Sequence, residues 1–159
     1  MSRAGRLAPV QHVIDETERR HATQLAASER RVAACEARLT ELSKYEADYR
    51  NNFHTRVSSG MSSAELRDYQ TFLARLTEAV RQQTHAVTKA RLERDAQRLQ
   101  WQLAAQRAKA VEHVIGHWQA EERLGQNRRE QRDSDERAQR TAPGNAGRMS
   151  EHESEQSND

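Results

Sequence analysis

Apolar residues recur along the second half of this chain at alternating steps of three and four. Starting at Leu66, the steps visit Tyr69, Leu73, Leu76, Val80, Gln83, Val87, Ala90, Arg94, Gln97, Trp101, Ala104, Ala108, Val111, Ile115 and Trp118. Only Gln83, Arg94 and Gln97 among them are polar. A sustained repeat of about 3.5 residues keeps one stripe of a helix facing a partner helix. The first half carries a matching stripe through Leu25, Ser28, Val32, Cys35, Leu39, Leu42, Glu46, Tyr49 and Phe53, weakening upstream through His21 to Ile14. Residues 10–59 and 61–115 contain neither glycine nor proline. Inside a helix those residues cost about 1 and about 3 kcal/mol respectively, so their absence favours two uninterrupted helices. Between them lies Ser58-Ser59-Gly60-Met61-Ser62-Ser63. Gly60 suits a left-handed helix terminus, and Ser62 with Glu65 forms a capping box that starts the next helix.

A turn this short makes the helices antiparallel neighbours, and the stripes then come into register. Folding at Gly60 sets Leu42 beside Leu76, Tyr49 beside Tyr69 and Phe53 beside Leu66. The expected fold is all-α: a long antiparallel two-helix coiled-coil hairpin with a disordered C-terminal tail. Helix one is expected over about 10–57, the turn over 58–63 and helix two over about 64–140. Residues 1–9 are expected to be an N-terminal extension, because helix one begins near Pro9. Val111, Ile115 and Trp118 then overhang the hairpin, and Gly116 and Gly125 weaken the helix there. Residues 141–159, with Pro143-Gly144 followed by acidic and polar residues, show no periodicity and read as a disordered tail. In mid-helix two, Leu92, Ala96, Leu99 and Leu103 lie on a different face from Val87, Ala90 and Trp101. A local shift of the repeat that rotates the stripe inward is the favoured explanation; an exposed apolar ridge is the other.

Composition agrees with a thin seam. Hydrophobic residues make up 35% and charged residues 31%, too little apolar material for a thick core but enough for two positions in seven. No apolar run approaches a membrane span, and Met1-Ser2-Arg3-Ala4-Gly5-Arg6 has no apolar region behind it, so no secretory signal is expected. Lone Cys35 fits a reducing cytoplasm. Net charge is +2, with acidic residues interspersed throughout, which favours a solvated mixed-charge surface over a nucleic-acid stripe.

The two flanks of the seam differ. One pairs Arg38 with Ala79 and Tyr45 with Phe72; the other sets Glu36, Ser43 and Arg50 against Gln70, Thr77 and Thr84. All 3 tyrosines and 2 phenylalanines lie between residues 45 and 72. Aromatics clustered on an exposed flank are typical anchors for a protein partner. They also serve to cover the seam and stiffen the tip, and spacing alone leaves both readings open.

The same segment resembles the FliJ family of bacterial flagellar export proteins. The matching residues are Tyr45-Glu46-Ala47-Asp48-Tyr49-Arg50-Asn51-Asn52, the Ser58–Ser63 turn and Tyr69-Gln70-Thr71-Phe72-Leu73. An echo, Asp135-Glu136-Arg137-Ala138-Gln139-Arg140, falls at the end of the helical region. The resemblance implies a cytoplasmic, non-enzymatic component of the flagellar type III export apparatus, at the cytoplasmic face of the inner membrane. Such a protein looks like the stalk of a rotary ATPase, inserts into the hexameric ring of the export ATPase and promotes its assembly. The resemblance further implies binding to the linker of the export-gate membrane protein and escort of export chaperones. Its gate-binding face falls on Leu42, Tyr45, Tyr49, Phe72, Leu76 and Ala79, bordered by Arg38 and Gln83. The Arg-rich end from Arg123 to Arg140 is the candidate for contact with the ATPase.

Enzyme chemistry is not visible in the sequence. Gly60 stands alone rather than in a phosphate loop, and a two-helix ribbon has no concave pocket of enzyme size. His113 and His117, one turn apart, read as surface histidines rather than half a zinc site. Cys35 reads as a small seam residue. No catalytic residue, metal, cofactor, small-molecule substrate or nucleic acid is expected. The competing functions are a generic scaffold that dimerises in parallel through opened-out helices and a basic nucleic-acid-binding helix pair.

Overall fold

The computed structural model describes residues 2–142, and these form two helices. Helix α1 spans Arg3–Ser59 and helix α2 spans Ser63–Thr141. At about 1.5 Å per residue the longer one extends roughly 118 Å. They pair antiparallel within one chain, which is the expected hairpin and not the opened-out arrangement that a parallel dimer requires. Gly60 ends α1 with φ 95°, a backbone state that side chains disfavour, and its N–H donates to the Val57 carbonyl. Ser62 then caps α2: its hydroxyl accepts from the Glu65 N–H at 3.2 Å, while the Glu65 carboxylate accepts from the Ser62 N–H at 3.3 Å.

The buried residues follow the 3.5-residue repeat. Ser28 and Val32 on α1, and Tyr69, Leu76, Val87, Ala90, Ala104 and Ile115 on α2, are all seam positions. Several polar seam residues find partners, although the Gln97 side-chain oxygen and His21 Nδ1 do not. The Ser28 hydroxyl donates to the Leu25 carbonyl at 2.7 Å, Gln83 donates to the Cys35 carbonyl at 3.0 Å, and Trp101 donates to Glu18 at 2.9 Å. Cross-helix ion pairs Arg31–Glu93, Arg91–Glu36 and Arg98–Glu29 lie on the surface, where each contributes about 0–1 kcal/mol. They reinforce the register; the apolar layers set it.

Several expectations are corrected. Residues 3–9 are helix, not an extension. The Ser2 hydroxyl caps α1 by accepting from the Gly5 N–H, and Pro9 lies inside the helix. A proline there removes one hydrogen bond. Long-range contacts offset that loss: Ala4 is buried, Leu7, Arg3 and Arg6 line a cleft with Trp118, and the Arg3 N–H donates to Glu122 at 3.1 Å. For the same reason Val111, Ile115 and Trp118 do not overhang; Ile115 is buried, and α2 outruns α1 only beyond about residue 122. Helix α2 also passes through Gly116 and Gly125 unbroken.

The repeat does not shift in mid-α2. Leu92 is 65% and Leu99 55% exposed, Ala96 is exposed as well, and Arg94 and Gln97 keep the half-buried seam positions. The layers on either side, Val87 and Ala90 before and Ala104 after, hold the phase, so rotating the stripe between them would break both. The tail expected over 141–159 begins with Thr141, the last residue of α2; residues 143–159 lie outside the described residues.

Candidate partner-binding tip

The hinge end of the hairpin holds five aromatic rings in one continuous chain of contacts. Tyr49 stacks on Tyr69, with centroids 4.1 Å apart and planes 22° from parallel. Phe72 leans on Tyr49 at 4.6 Å, and Tyr45 meets Phe72 edge-on at 6.3 Å and 88°. Phe53 closes the inner end against Tyr69 at 4.8 Å. Offset and edge-on arrangements of this kind add about 0.5–1.5 kcal/mol per pair beyond burial. The Tyr69 hydroxyl donates to the Tyr49 carbonyl, which ties the two helices at the centre of the cluster.

Exposure divides the cluster into a base and a face. Tyr69 and Leu76 are buried at 8% and 7%. Tyr45 and Phe72 stand out at 53% and 39%, and Tyr49, Leu42 and Ala79 are half-buried. Of the six residues placed on the binding face from sequence, Tyr45, Tyr49 and Phe72 are in mutual ring contact. Leu76 is a support beneath them rather than a contact surface. Phe53 and Tyr69, read from sequence only as seam residues, belong to the same cluster; the confinement of every Tyr and Phe to residues 45–72 was the available signal.

The two flanks of the tip differ in their chemistry. On the opposite flank the Glu46 carboxylate accepts from Arg50 at 2.8 Å and from Thr77 at 2.9 Å. The aromatic flank offers rings and a tyrosine hydroxyl. Partial burial, followed by the neighbouring Tyr69 and Tyr45, pushes the Tyr49 phenol above the usual tyrosine range, with Arg56 opposing. Farther along this flank a shallow groove runs between Ala34, Ala37, Arg38 and Ala86. Gln83 at its floor is occupied by the Cys35 carbonyl.

Elsewhere the chemistry is sparse. His117 Nδ1 lies 3.5 Å from Glu121, and His113 and His117 border an open depression with Lys109 and Glu112. Among the described residues no group of three His, Cys, Asp or Glu side chains converges to hold a metal ion, and no helix is long and apolar enough to cross a membrane.

Comparison with known proteins places this architecture among relatives. The family model described as Flagellar FliJ protein matches residues 2–147. A Flagellar FliJ protein of Escherichia coli (strain K12) is 28% identical over 142 residues, covering 89% of this chain and 97% of the relative. A Flagellar FliJ protein of Salmonella typhi is 31% identical over 107 residues, covering 67% of this chain and 73% of the relative. No solved structure matches.

Proposed function

The chain belongs to the FliJ family of flagellar proteins, and from that premise we propose that it is a rod-like component of the flagellar type III export apparatus that docks by its aromatic tip. The tip binds the linker of the export-gate membrane protein through Tyr45, Tyr49 and Phe72, flanked by Leu42 and Ala79 and braced by Leu76. The other end of the rod enters the hexameric ring of the export ATPase as a stalk and promotes ring assembly. The same protein escorts export chaperones. It works at the cytoplasmic face of the inner membrane, held there by the gate.

The observation that carries the docking reading is the split within the aromatic cluster. Tyr69 is buried at the base of the cluster, yet Tyr45 and Phe72 extend the ring chain into solvent at 53% and 39% exposure. Half-exposed aromatics on a rigid base suit an interface hot spot, because little side-chain freedom remains to be lost on binding. Support for the stalk reading is the shape. Beyond the start of α1, helix α2 continues alone through Arg123–Thr141, roughly 28 Å of single charged helix. Its six arginines, between residues 123 and 140, are the candidate contact with the ATPase.

Two measurements test these assignments. Mixing the protein with its cognate flagellar ATPase should speed ATP hydrolysis and increase ring formation; no stimulation and no co-sedimentation would reject the stalk role. Tyr45→Ala with Phe72→Ala should weaken binding to the gate-protein linker while helicity is retained; unchanged binding would reject the tip.

A further inference from the structure

Helix α2 carries a second apolar stripe that the hairpin does not use. Five of its large hydrophobic residues stand exposed beyond the tip: Leu92 (65%), Leu99 (55%), Leu103 (43%), Val114 (41%) and Leu124 (57%). At about 100° per residue all five fall within an arc of about 80°; Ala96 and Ala110 share it, and Gln106, His117 and Glu121 are the polar residues that interrupt it. They run along roughly 48 Å of helix. Leu92, Leu103 and Val114 are spaced at 11 residues, a repeat that drifts slowly around an α-helix in the hand opposite to the 3.5-residue repeat of the seam. The two patterns are separate, so the stripe is not a frayed edge of the seam.

Charge around the stripe is biased in a way that selects a partner. The acidic side chains at its borders have partners within the chain: Glu93 with Arg31, Asp95 with Arg94, and Glu122 with the Arg3 N–H, while Glu121, inside the arc, lies 3.5 Å from His117 Nδ1. Among the described residues, Lys89 and Arg107 on one border, and Arg128 and Arg129 at the distal end, form no ion pair. An apolar stripe edged by unengaged cations fits a helix with the opposite edging.

Other occupants fit worse. The stripe's midpoint is near residue 108, so antiparallel pairing of two copies brings Arg107 near Arg107, and parallel pairing sets the border with Lys89 and Arg107 against the copy's other border, which carries Arg91 and Lys109. The chain's own residues 143–159 are acidic, but Met149 is their only large apolar residue, too little to cover five positions. We propose that the Leu92–Leu124 stripe is a docking surface for an amphipathic helix of a partner protein, one whose apolar stripe is edged by Glu or Asp. This surface is distinct from the aromatic tip and stands without it.

The test uses the full chain and two labelled helical peptides. Both carry leucine on an 11-residue repeat, one edged with glutamate and the other with lysine. Fluorescence anisotropy should show the glutamate peptide binding at least about tenfold more tightly, with the difference shrinking as salt rises. Leu99→Gln with Leu103→Gln should weaken that binding at least about tenfold while circular dichroism is unchanged, because both side chains are exposed. Arg107→Glu should reduce the preference between the peptides. Equal binding of the two peptides, or binding indifferent to the double substitution, would overturn the proposal. So would sedimentation showing that the protein alone forms a dimer that the double substitution dissolves. Much tighter peptide binding after removal of residues 143–159 would also overturn it, since the tail would then be the occupant.

Discussion

Replacing Tyr69 separates what holds the tip together from what the tip presents. The ring is 8% exposed, stacks on Tyr49 at 4.1 Å and touches Phe53 at 4.8 Å, and its hydroxyl donates across the hairpin. Truncating a buried aromatic to alanine costs about 3–5 kcal/mol through lost burial and the cavity left behind. Tyr69→Phe keeps the ring and loses one hydrogen bond, which costs about 1 kcal/mol. Tyr45→Ala removes a ring that is half in water and touches the cluster at more than 6 Å, so it should cost no more than about 1 kcal/mol. In a rod this long the loss is local: the tip opens while the distal seam stays closed. Amide hydrogen exchange is therefore the assay, compared between the tip (residues 45–53 and 66–76) and the distal pairing around Val32 and Val87. Tyr69→Ala should speed exchange at the tip by at least about a hundredfold, since every 1.4 kcal/mol is about tenfold, and leave the distal region unchanged. Tyr69→Phe should give roughly a fivefold change. The reasoning fails if either Tyr69→Phe or Tyr45→Ala is as damaging as Tyr69→Ala.

Other consequences follow from single positions. Gly60→Ala forces a side chain into φ 95°, so tip stability should fall by about 1–3 kcal/mol even though nothing crowds the new Cβ; an unchanged denaturation midpoint would contradict the turn geometry. Glu122→Ala removes the acceptor of the Arg3 N–H, so exchange should quicken over residues 3–9 and nowhere else. The Tyr49 phenol has a raised pKa, so the folded tip favours its protonated form: that stability is full below the ordinary tyrosine value of about 10 and is lost as pH rises through the raised one. Tyr49→Phe should flatten this alkaline loss of tip stability, measured by circular dichroism against pH. Arg94→Leu with Gln97→Leu should stabilise the middle of the hairpin, since the Gln97 carbonyl oxygen is buried without a partner there; slower exchange over residues 94–101 is the expected result.

Much of this fold is written locally and can be read locally. A 3.5-residue repeat, an absence of helix breakers and a capping box each act over one or a few turns, and Val32, Tyr69, Leu76, Val87 and Ala104 are buried where the repeat puts them. Helix starts set by distant contacts are not legible in the same way. Pro9 argues for a boundary only until Ala4, Leu7, Trp118 and Glu122 are known to meet, and those residues are more than 100 positions apart in sequence. The face of mid-α2 was misjudged for a related reason. Periodicity reveals that two apolar stripes exist, but which one faces α1 depends on layers a dozen residues away on both sides. At the tip, composition marked the aromatic cluster, while the division into buried base and exposed face needed the packing of Tyr69 under Phe72 and Tyr45.

The placement of leucines in mid-α2 is the least economical feature of the hairpin as a folded object. Between residues 92 and 103 the seam positions are Arg94, Gln97 and Trp101, while Leu92, Leu99 and Leu103 face water. A fully buried leucine contributes about 1.5–3 kcal/mol relative to an exposed one. Exchanging the two sets would therefore give a firmer rod from the same composition. Elsewhere the exceptions are single helix breakers, Pro9, Gly116 and Gly125, while the caps, the distal seam and the turn follow local rules. A conflict confined to one stretch, and repeated along one face as far as Leu124, is better explained by an external partner than by loose packing. Helix α2 is thus gripped by α1 on one side and shaped for a second helix on the other. Helix α1, whose exposed large apolar residues are Val10, Val13, Tyr45 and Val57, has no comparable stripe and acts as the brace that keeps α2 straight.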